Sequence, residues 1–147
     1  MECRPGRRSH TVLSAFTESN FMSVVASRRD LGASPGFRIA GQVAMELAGV
    51  NFNEIRLCEL YSCFPYAVRV QLQEFGLDPL RNVSVTGGMT FGGGPLNNFV
   101  LQATVRMAQL LRQNPAEIGL VTSVSGFLTK QACALWSCSP GAQGWAC

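Results

Sequence analysis

Tyr61 and Cys63 are candidate chemical groups because they stand where a short strand is expected to run into a helix. The apolar stretch Ile55 to Tyr61 predicts the strand, and Pro65 is typical of the first position of a helix. Unpaired amides at such a junction favour anionic or electron-rich groups. A thiol is activated there only if it is exposed, so Cys63 is either a site residue or a core residue. Tyr61 has a similar alternative, a strand-end residue whose hydroxyl lies in solvent.

A glycine-rich stretch follows a second predicted strand, Val83 to Thr86. Gly87-Gly88 and the run Phe91 to Asn98 are not expected to form a helix or a strand. Such a run adopts backbone conformations that side chains forbid, or it lies against a ligand or another chain segment. The turn ahead of the third helix is therefore a candidate for ligand contact.

The six cysteines raise the question of a metal site or disulfides, because Cys58 and Cys63 are five residues apart and so are Cys133 and Cys138. Structural zinc pairs are usually separated by about two to four residues in loops, whereas Cys58 and Cys133 lie in strand-like apolar runs. Buried free thiols behave as small hydrophobes. We therefore expect core cysteines and no metal site. His10, the single histidine, is expected to be an exposed residue of the N-terminal segment.

The composition indicates one α/β domain, with 147 residues, 47% of them hydrophobic and 14% charged. Much of the net charge of +3 lies in Arg4, Arg7 and Arg8, a pattern typical of a solvated tail, so nucleic acid is not indicated. The sequence has no apolar run near the ~20 residues that span a bilayer, and no secretory signal. We expect a soluble intracellular protein in the cytoplasm, with the peroxisome and the mitochondrion as alternatives.

Periodic apolar residues predict the remaining elements of the domain. Helices are expected at Ser34 to Ala48, Pro65 to Phe75 and Asn98 to Gln113, the last with Leu110 on its buried face. A hairpin of two strands is expected at residues 118–124 and 132–136. Along the chain, the expectation is a loosely ordered segment at 1–27, a domain at 28–137 and a frayed tail at 138–147.

Three motifs occur in an order that resembles the C-terminal half of the thiolase superfamily. They are Glu59 to Phe64, Thr86-Gly87-Gly88 followed by Gly93-Gly94-Pro95, and Gly119 to Thr122. The resemblance covers residues 28–137 and is closest to thiolases of the sterol-carrier-protein-X type and thiolase-like acetyl-CoA acetyltransferases of lipid metabolism. It implies one half of a layered αβαβα fold, a mixed sheet with buried and covering helices. It also implies acyl-CoA as substrate or ligand and no resident cofactor.

In that family the N-terminal half supplies a cysteine nucleophile, and the C-terminal half supplies acid/base and oxyanion groups. The nucleophile's segment is expected upstream of Met1. This chain departs from the family pattern at four places in the C-terminal half. Tyr61 and Gly94 each stand in place of a histidine, residues 123–126 contain no cysteine, and Gln131 stands where relatives often have histidine. A tyrosine with a pKa of about 10 donates a hydrogen bond but is a poor base at neutral pH.

The resemblance implies a pocket for an acyl thioester. Its catalytic residues are expected to be Tyr61 and Cys63, and its substrate-binding residues Gly93, Gly94, Asn97 and Gln131. Three interpretations remain: an acyltransferase domain that lacks the nucleophile half and is inactive alone, a non-catalytic acyl-CoA-binding or scaffolding relative, and a truncated product without a stable role. Because a half-thiolase exposes a large apolar face, we expect a homo-oligomer or association with a complementary thiolase half.

Overall fold

The computed structural model describes residues 10–139, which form a mixed sheet with helices on both faces. The strands are β1 (Val12–Asn20), β2 (Leu57–Glu59), β3 (Gly119–Ser125) and β4 (Lys130–Ser137). The helices are α1 (Pro35–Ala48), α2 (Pro65–Glu74), α3 (Met89–Gly92) and α4 (Phe99–Gln113). The sheet order is β1-β4-β3-β2, with β2 parallel to β3 and β4 antiparallel to both of its neighbours. The α/β class is therefore confirmed, as are the three long helices and the hairpin.

α1 begins where the sequence predicts. Ser34 Oγ accepts a hydrogen bond from Phe37 N at 3.4 Å, and Pro35, which has no amide proton, occupies the first helical position. Small residues on its buried face bring the helix close to β1 and β4, and Thr17 Oγ1 on β1 donates to Ala40 O at 2.7 Å. This side-chain bond satisfies a buried polar group and attaches α1 to the edge of the sheet.

Side chains alternate between the two faces of the sheet. Leu120, Cys133 and Leu135 pack into the main core with residues of α1 and α2. Val121 points to the opposite face and packs with α4, including Met107. The sheet therefore carries α1 and α2 on one face and α4 on the other, which we call the α4-side face.

The buried side of α4 differs by one residue from the expectation. Leu110, expected in the core, is only half-buried, whereas Met107 and Leu111 are fully buried. Adjacent residues of a helix differ by about 100° around its axis, so Leu111 points at the sheet and Leu110 points to its side.

Residues 83–86, expected as a strand, do not belong to the sheet. Val83 O accepts a hydrogen bond from Leu60 N at 2.9 Å, and the carboxylate of Glu59 then binds the amides of the following residues. A side chain thus takes the place of a partner strand. The glycine-rich run also differs from the expectation, because it contains the end of α3 and a turn of 3-10 helix before α4.

The N-terminal boundary is also corrected. The expectation of loose order at residues 1–27 is wrong for β1, which pairs with β4 from Val12 opposite Ser137 to Asn20 opposite Lys130. Cys138, expected in the frayed tail, is buried with the residues of α4. Residues 21–27 follow β1 and include a turn of 3-10 helix at Val25–Ser27. Residues 1–9 and 140–147 lie outside the described residues. Within residues 10–139, no helix is long and apolar enough to cross a membrane.

Candidate functional site

Tyr61 lies two residues beyond β2, and buried polar side chains hold its backbone. Tyr61 N donates to Thr122 Oγ1 at 2.8 Å, and Gln71 Nε2 donates to Tyr61 O at 3.0 Å. Thr122 Oγ1 in turn donates to Gln71 Oε1 at 2.5 Å. This ring of hydrogen bonds joins β2, β3 and α2 and fixes the position of Tyr61. Sequence analysis missed Gln71 and Thr122, although a glutamine on the apolar face of a helix is a visible signal.

The side chain of Tyr61 lies against the start of α4. Its ring meets the ring of Phe99 edge to face, with centroids 5.6 Å apart and an interplanar angle of 89°. Burial, and to a lesser degree the neighbouring Cys63, raise the pKa of Tyr61 above its usual value of 10.0. The phenol therefore stays protonated at neutral pH and can donate a hydrogen bond but cannot act as a base.

Cys63 lies just before α2 and is half-buried, so it is neither a core residue nor a fully exposed one. Burial raises the pKa of its thiol, and this outweighs hydrogen bonds from backbone amides, including that of Phe64, which lower it. At neutral pH the side chain is therefore a thiol and not a thiolate, so the position before the helix does not activate it.

Cys58 and Cys133 are no better suited to nucleophilic chemistry than Cys63. The end of β3, from Ser123 to Ser125, carries no cysteine, and Cys133 lies within β4 opposite Thr122. Burial raises the pKa of Cys133 to about 12 and that of Cys58 to about 11. Among residues 10–139, no group of three or more metal-binding side chains comes together.

Glu59, the last residue of β2, is a fully buried carboxylate that sequence analysis did not single out. Its Oε2 accepts hydrogen bonds from Val85 N and Thr86 N, both at 2.8 Å. Its Oε1 accepts from Ser84 Oγ at 2.9 Å and from Thr86 Oγ1 at 3.0 Å. These donors offset the cost of removing the carboxylate from water and hold residues 84–86 against the end of β2.

The loop that follows passes beside the segment containing Tyr61 and Cys63. Met89 N donates to Ser62 Oγ at 3.0 Å, which attaches the start of α3 to this segment. Gly88 has φ +74°, and a Cβ at this position would lie 3.1 Å from Ser62 Oγ. Glycine is therefore required there, both for its backbone conformation and for the close approach.

Gly93, Gly94 and Asn97 are exposed and lie ahead of α4, whose first residue is Phe99. A Cβ built on Gly93 or on Gly94 meets no heavy atom within 4 Å, so the space beside this turn is open. Because Tyr61 contacts Phe99, the turn, the end of β2 and the start of α2 border one region. Five of the six predicted site residues therefore lie on elements that meet at this region, and their roles stay predictions.

Gln131, the sixth predicted residue, is buried in β4 on the side of α1. Its Nε2 donates to Leu128 O and lies 3.5 Å from Ser34 Oγ, at the start of α1. Gln131 also borders a hollow of about 300 Å³ at the tip of the β3–β4 hairpin, together with Ser123 and Lys130. Its side-chain amide packs beneath α1, so a contact with substrate stays a prediction. A larger hollow of about 580 Å³ lies at the end of α1, away from Tyr61.

Comparison with solved structures finds a match to the crystal structure of a monomeric SCP2-thiolase like protein type 1 from Mycobacterium smegmatis. The TM-score is 0.84 and the sequence identity is 28%. The match covers 93% of this chain and 30% of the relative, so this chain spans less than a third of the relative's length. No protein-family model matches the sequence, and no curated protein does.

Proposed function

Because the fold of this chain is thiolase-like, of the SCP2 type, we propose that the chain is the C-terminal domain of a thiolase-type acyl-CoA acyltransferase. The main support is the 28% sequence identity to an SCP2-thiolase like protein. That match covers 93% of this chain and 30% of the relative. In this proposal these 147 residues do not include the nucleophile-bearing half and are inactive alone. Its ligand is a coenzyme A thioester, and it acts in lipid metabolism in the cytoplasm.

The chemistry of the site supports inactivity of the isolated chain. Acyl transfer from a thioester needs a thiolate, a group that takes up a proton, and donors for the developing oxyanion. Tyr61 and Cys63 both have raised pKa values and stay protonated at neutral pH. Gly94 offers no side-chain donor. In the proposed function these residues shape the acyl-thioester pocket, and the nucleophile comes from a thiolase half outside these 147 residues.

The α4-side face supports the proposal of a partner. Leu101 and Val105 lie one turn apart on α4 and are 65% and 58% exposed. Phe16, 53% exposed, pairs with Ala134, which pairs with Val121, so all three lie on this same face. Leu101 and Val105 lie on the side of α4 away from its buried residues, so the helix and the sheet both expose large apolar side chains here, as interaction sites do. We propose that a complementary thiolase half covers this face, with a second copy of this chain as the alternative.

Calorimetric titration of the purified chain with acetyl-CoA tests the function. Binding is expected only when an N-terminal thiolase half is co-expressed, because the pocket is completed by both halves. Binding to the chain alone would instead establish an autonomous acyl-CoA-binding module. The absence of binding in both preparations would overturn the proposal and leave a structural relic.

The substitution Gly94→His is expected to raise thioester turnover at least about 100-fold in the chain co-expressed with the N-terminal thiolase half. One oxyanion donor usually contributes a factor of this size. The substitution Gly94→His adds a donor where nothing lies within 4 Å of the new Cβ. Free thiol released from acetyl-CoA is the measured quantity.

Gly93→His is the matched control, because it adds the same side chain one residue earlier at a position with φ +82°. That backbone conformation disfavours a side chain, so this variant is expected to give no gain. Equal rates for Gly94→His and the unmodified complemented protein would count against a vestigial active site.

The second candidate function is a non-catalytic acyl-CoA-binding or scaffolding protein. The observation that favours it is the replacement of both family histidines, by Tyr61 and by Gly94. Thiol release separates the two functions, since an enzyme must cleave the thioester and a binding protein need only hold it.

A further inference from the structure

We propose that Glu59 is a positioning residue that sets the distance between residues 84–89, which we call the glycine loop, and the Tyr61–Cys63 segment. The proposal rests on the proposed function only in regarding this region as a ligand site. Within residues 10–139, the two ion pairs are Arg38 with Glu74 and Arg56 with Glu117, so Glu59 is not part of either. Its fully buried carboxylate instead takes all its hydrogen bonds from three consecutive residues, 84–86.

The hydroxyl of Thr86 links Glu59 to the next residues of the loop. Its hydroxyl donates to Glu59 Oε1 at 3.0 Å and also accepts a hydrogen bond from Gly88 N at 3.1 Å. The next amide, that of Met89, donates to Ser62 Oγ. These hydrogen bonds therefore connect Glu59, at the end of β2, through the loop to Ser62, which is three residues after Glu59.

This closed path fixes both ends of the loop that runs from residue 84 to residue 89. Ser62 lies between Tyr61 and Cys63, so any shift of the loop changes the surroundings of both side chains. A role in simple packing would require only the volume of the Glu59 side chain. A positioning role requires its acceptor oxygens, because the amides of Val85 and Thr86 are otherwise left without a partner.

Two substitutions distinguish the effect of the Glu59 side-chain volume from the effect of its hydrogen-bond acceptors. Glu59→Met keeps a similar shape and removes both acceptors, whereas Glu59→Gln keeps one oxygen for the backbone amides. Hydrogen exchange of the amides of residues 85–89 and alkylation of Cys63 by iodoacetamide, resolved by mass spectrometry of peptides, are measured on the full chain. Cys133 serves as the buried reference thiol.

Exchange at residues 85–89 is expected to rise at least about tenfold in Glu59→Met, the size expected for losing a hydrogen bond to a charged acceptor. The alkylation rate of Cys63 is expected to rise as well. In Glu59→Gln, the exchange rates and the alkylation rate are expected to stay close to those of the unmodified chain. Glu74→Met, which removes another buried carboxylate that caps α1 and pairs with Arg38, is expected to change neither.

Unchanged exchange in Glu59→Met, or equal changes in the Met and Gln variants, would overturn the proposal. If Glu59→Met does not fold, Thr86→Val decides the matter, because it removes only the relay hydroxyl. Met89 is the reporter in that variant, because its amide binds Ser62 and not Thr86. Unchanged exchange at Met89 overturns the positioning role, and faster exchange supports it. Both measurements are made without acyl-CoA, so a failure of acetyl-CoA binding would overturn the proposed function and leave this inference standing.

Discussion

Replacing Leu111 with alanine is expected to lower the free energy of unfolding by about 2–5 kcal/mol. Leu111 is 0% exposed and packs with Met107 and Val121 between α4 and the sheet. Truncation removes buried apolar surface and leaves a cavity that the surrounding sheet and helix can fill only in part. Chemical denaturation of the chain and the variant, followed by circular dichroism, measures the difference.

Leu110→Ala is the matched control, since it makes the same chemical change one residue earlier in the same helix. Leu110 is half-buried, so its loss is expected to cost about 1 kcal/mol or less. Equal destabilisation by the two substitutions would contradict the orientation of α4 on the sheet.

The double substitution Leu101→Glu with Val105→Glu is expected to weaken association of the chain, with the complementary half or with itself, at least about 100-fold. These side chains are largely exposed on the α4-side face, so the substitutions cost the isolated chain little stability. In a complex, however, each new carboxylate is buried without a partner, which is strongly unfavourable. Sedimentation velocity, with the chain alone and with the complementary half, measures the change in affinity.

Gln42→Glu with Gln73→Glu is the control for added charge. These exposed residues lie on α1 and α2, which cover the other face of the sheet, so association is expected to be unchanged. A monodisperse monomer of the unmodified chain at micromolar concentration, with no binding to the complementary half, would contradict the proposed interface.

The thiolase-like fold and its resemblance to the sterol-carrier type were predictable from the sequence, and both are confirmed. α1 carries its own start signal in Ser34 and Pro35, and α4 shows clear helical periodicity. The edge strand β1 has no such local signal. It forms because β4, more than a hundred residues away in sequence, offers partners for its backbone.

The place of Tyr61 and Cys63 in the fold was predictable from the sequence, but their chemical environment was not. The sequence places Tyr61 and Cys63 at a strand-to-helix junction, and the structure has them there. Their raised pKa values depend on burial, which follows from packing against elements distant in sequence. Residues 83–86 do not form the expected strand. The carboxylate of Glu59 accepts hydrogen bonds from the amides of Val85 and Thr86, which a neighbouring strand would otherwise have paired.

The sequence by itself determined the elements with local signals: the starts of α1 and α2, the apolar stripe of α4 and the turn at Gly87-Gly88. These signals act within a few residues, where capping, helical periodicity and the conformational freedom of glycine operate. Only the tertiary structure decided that Gln131 faces α1, that Leu111 and not Leu110 enters the core, and that Glu59 holds the loop beside Tyr61. Those outcomes depend on strand register, helix rotation and burial, which are set by contacts between residues far apart in the chain.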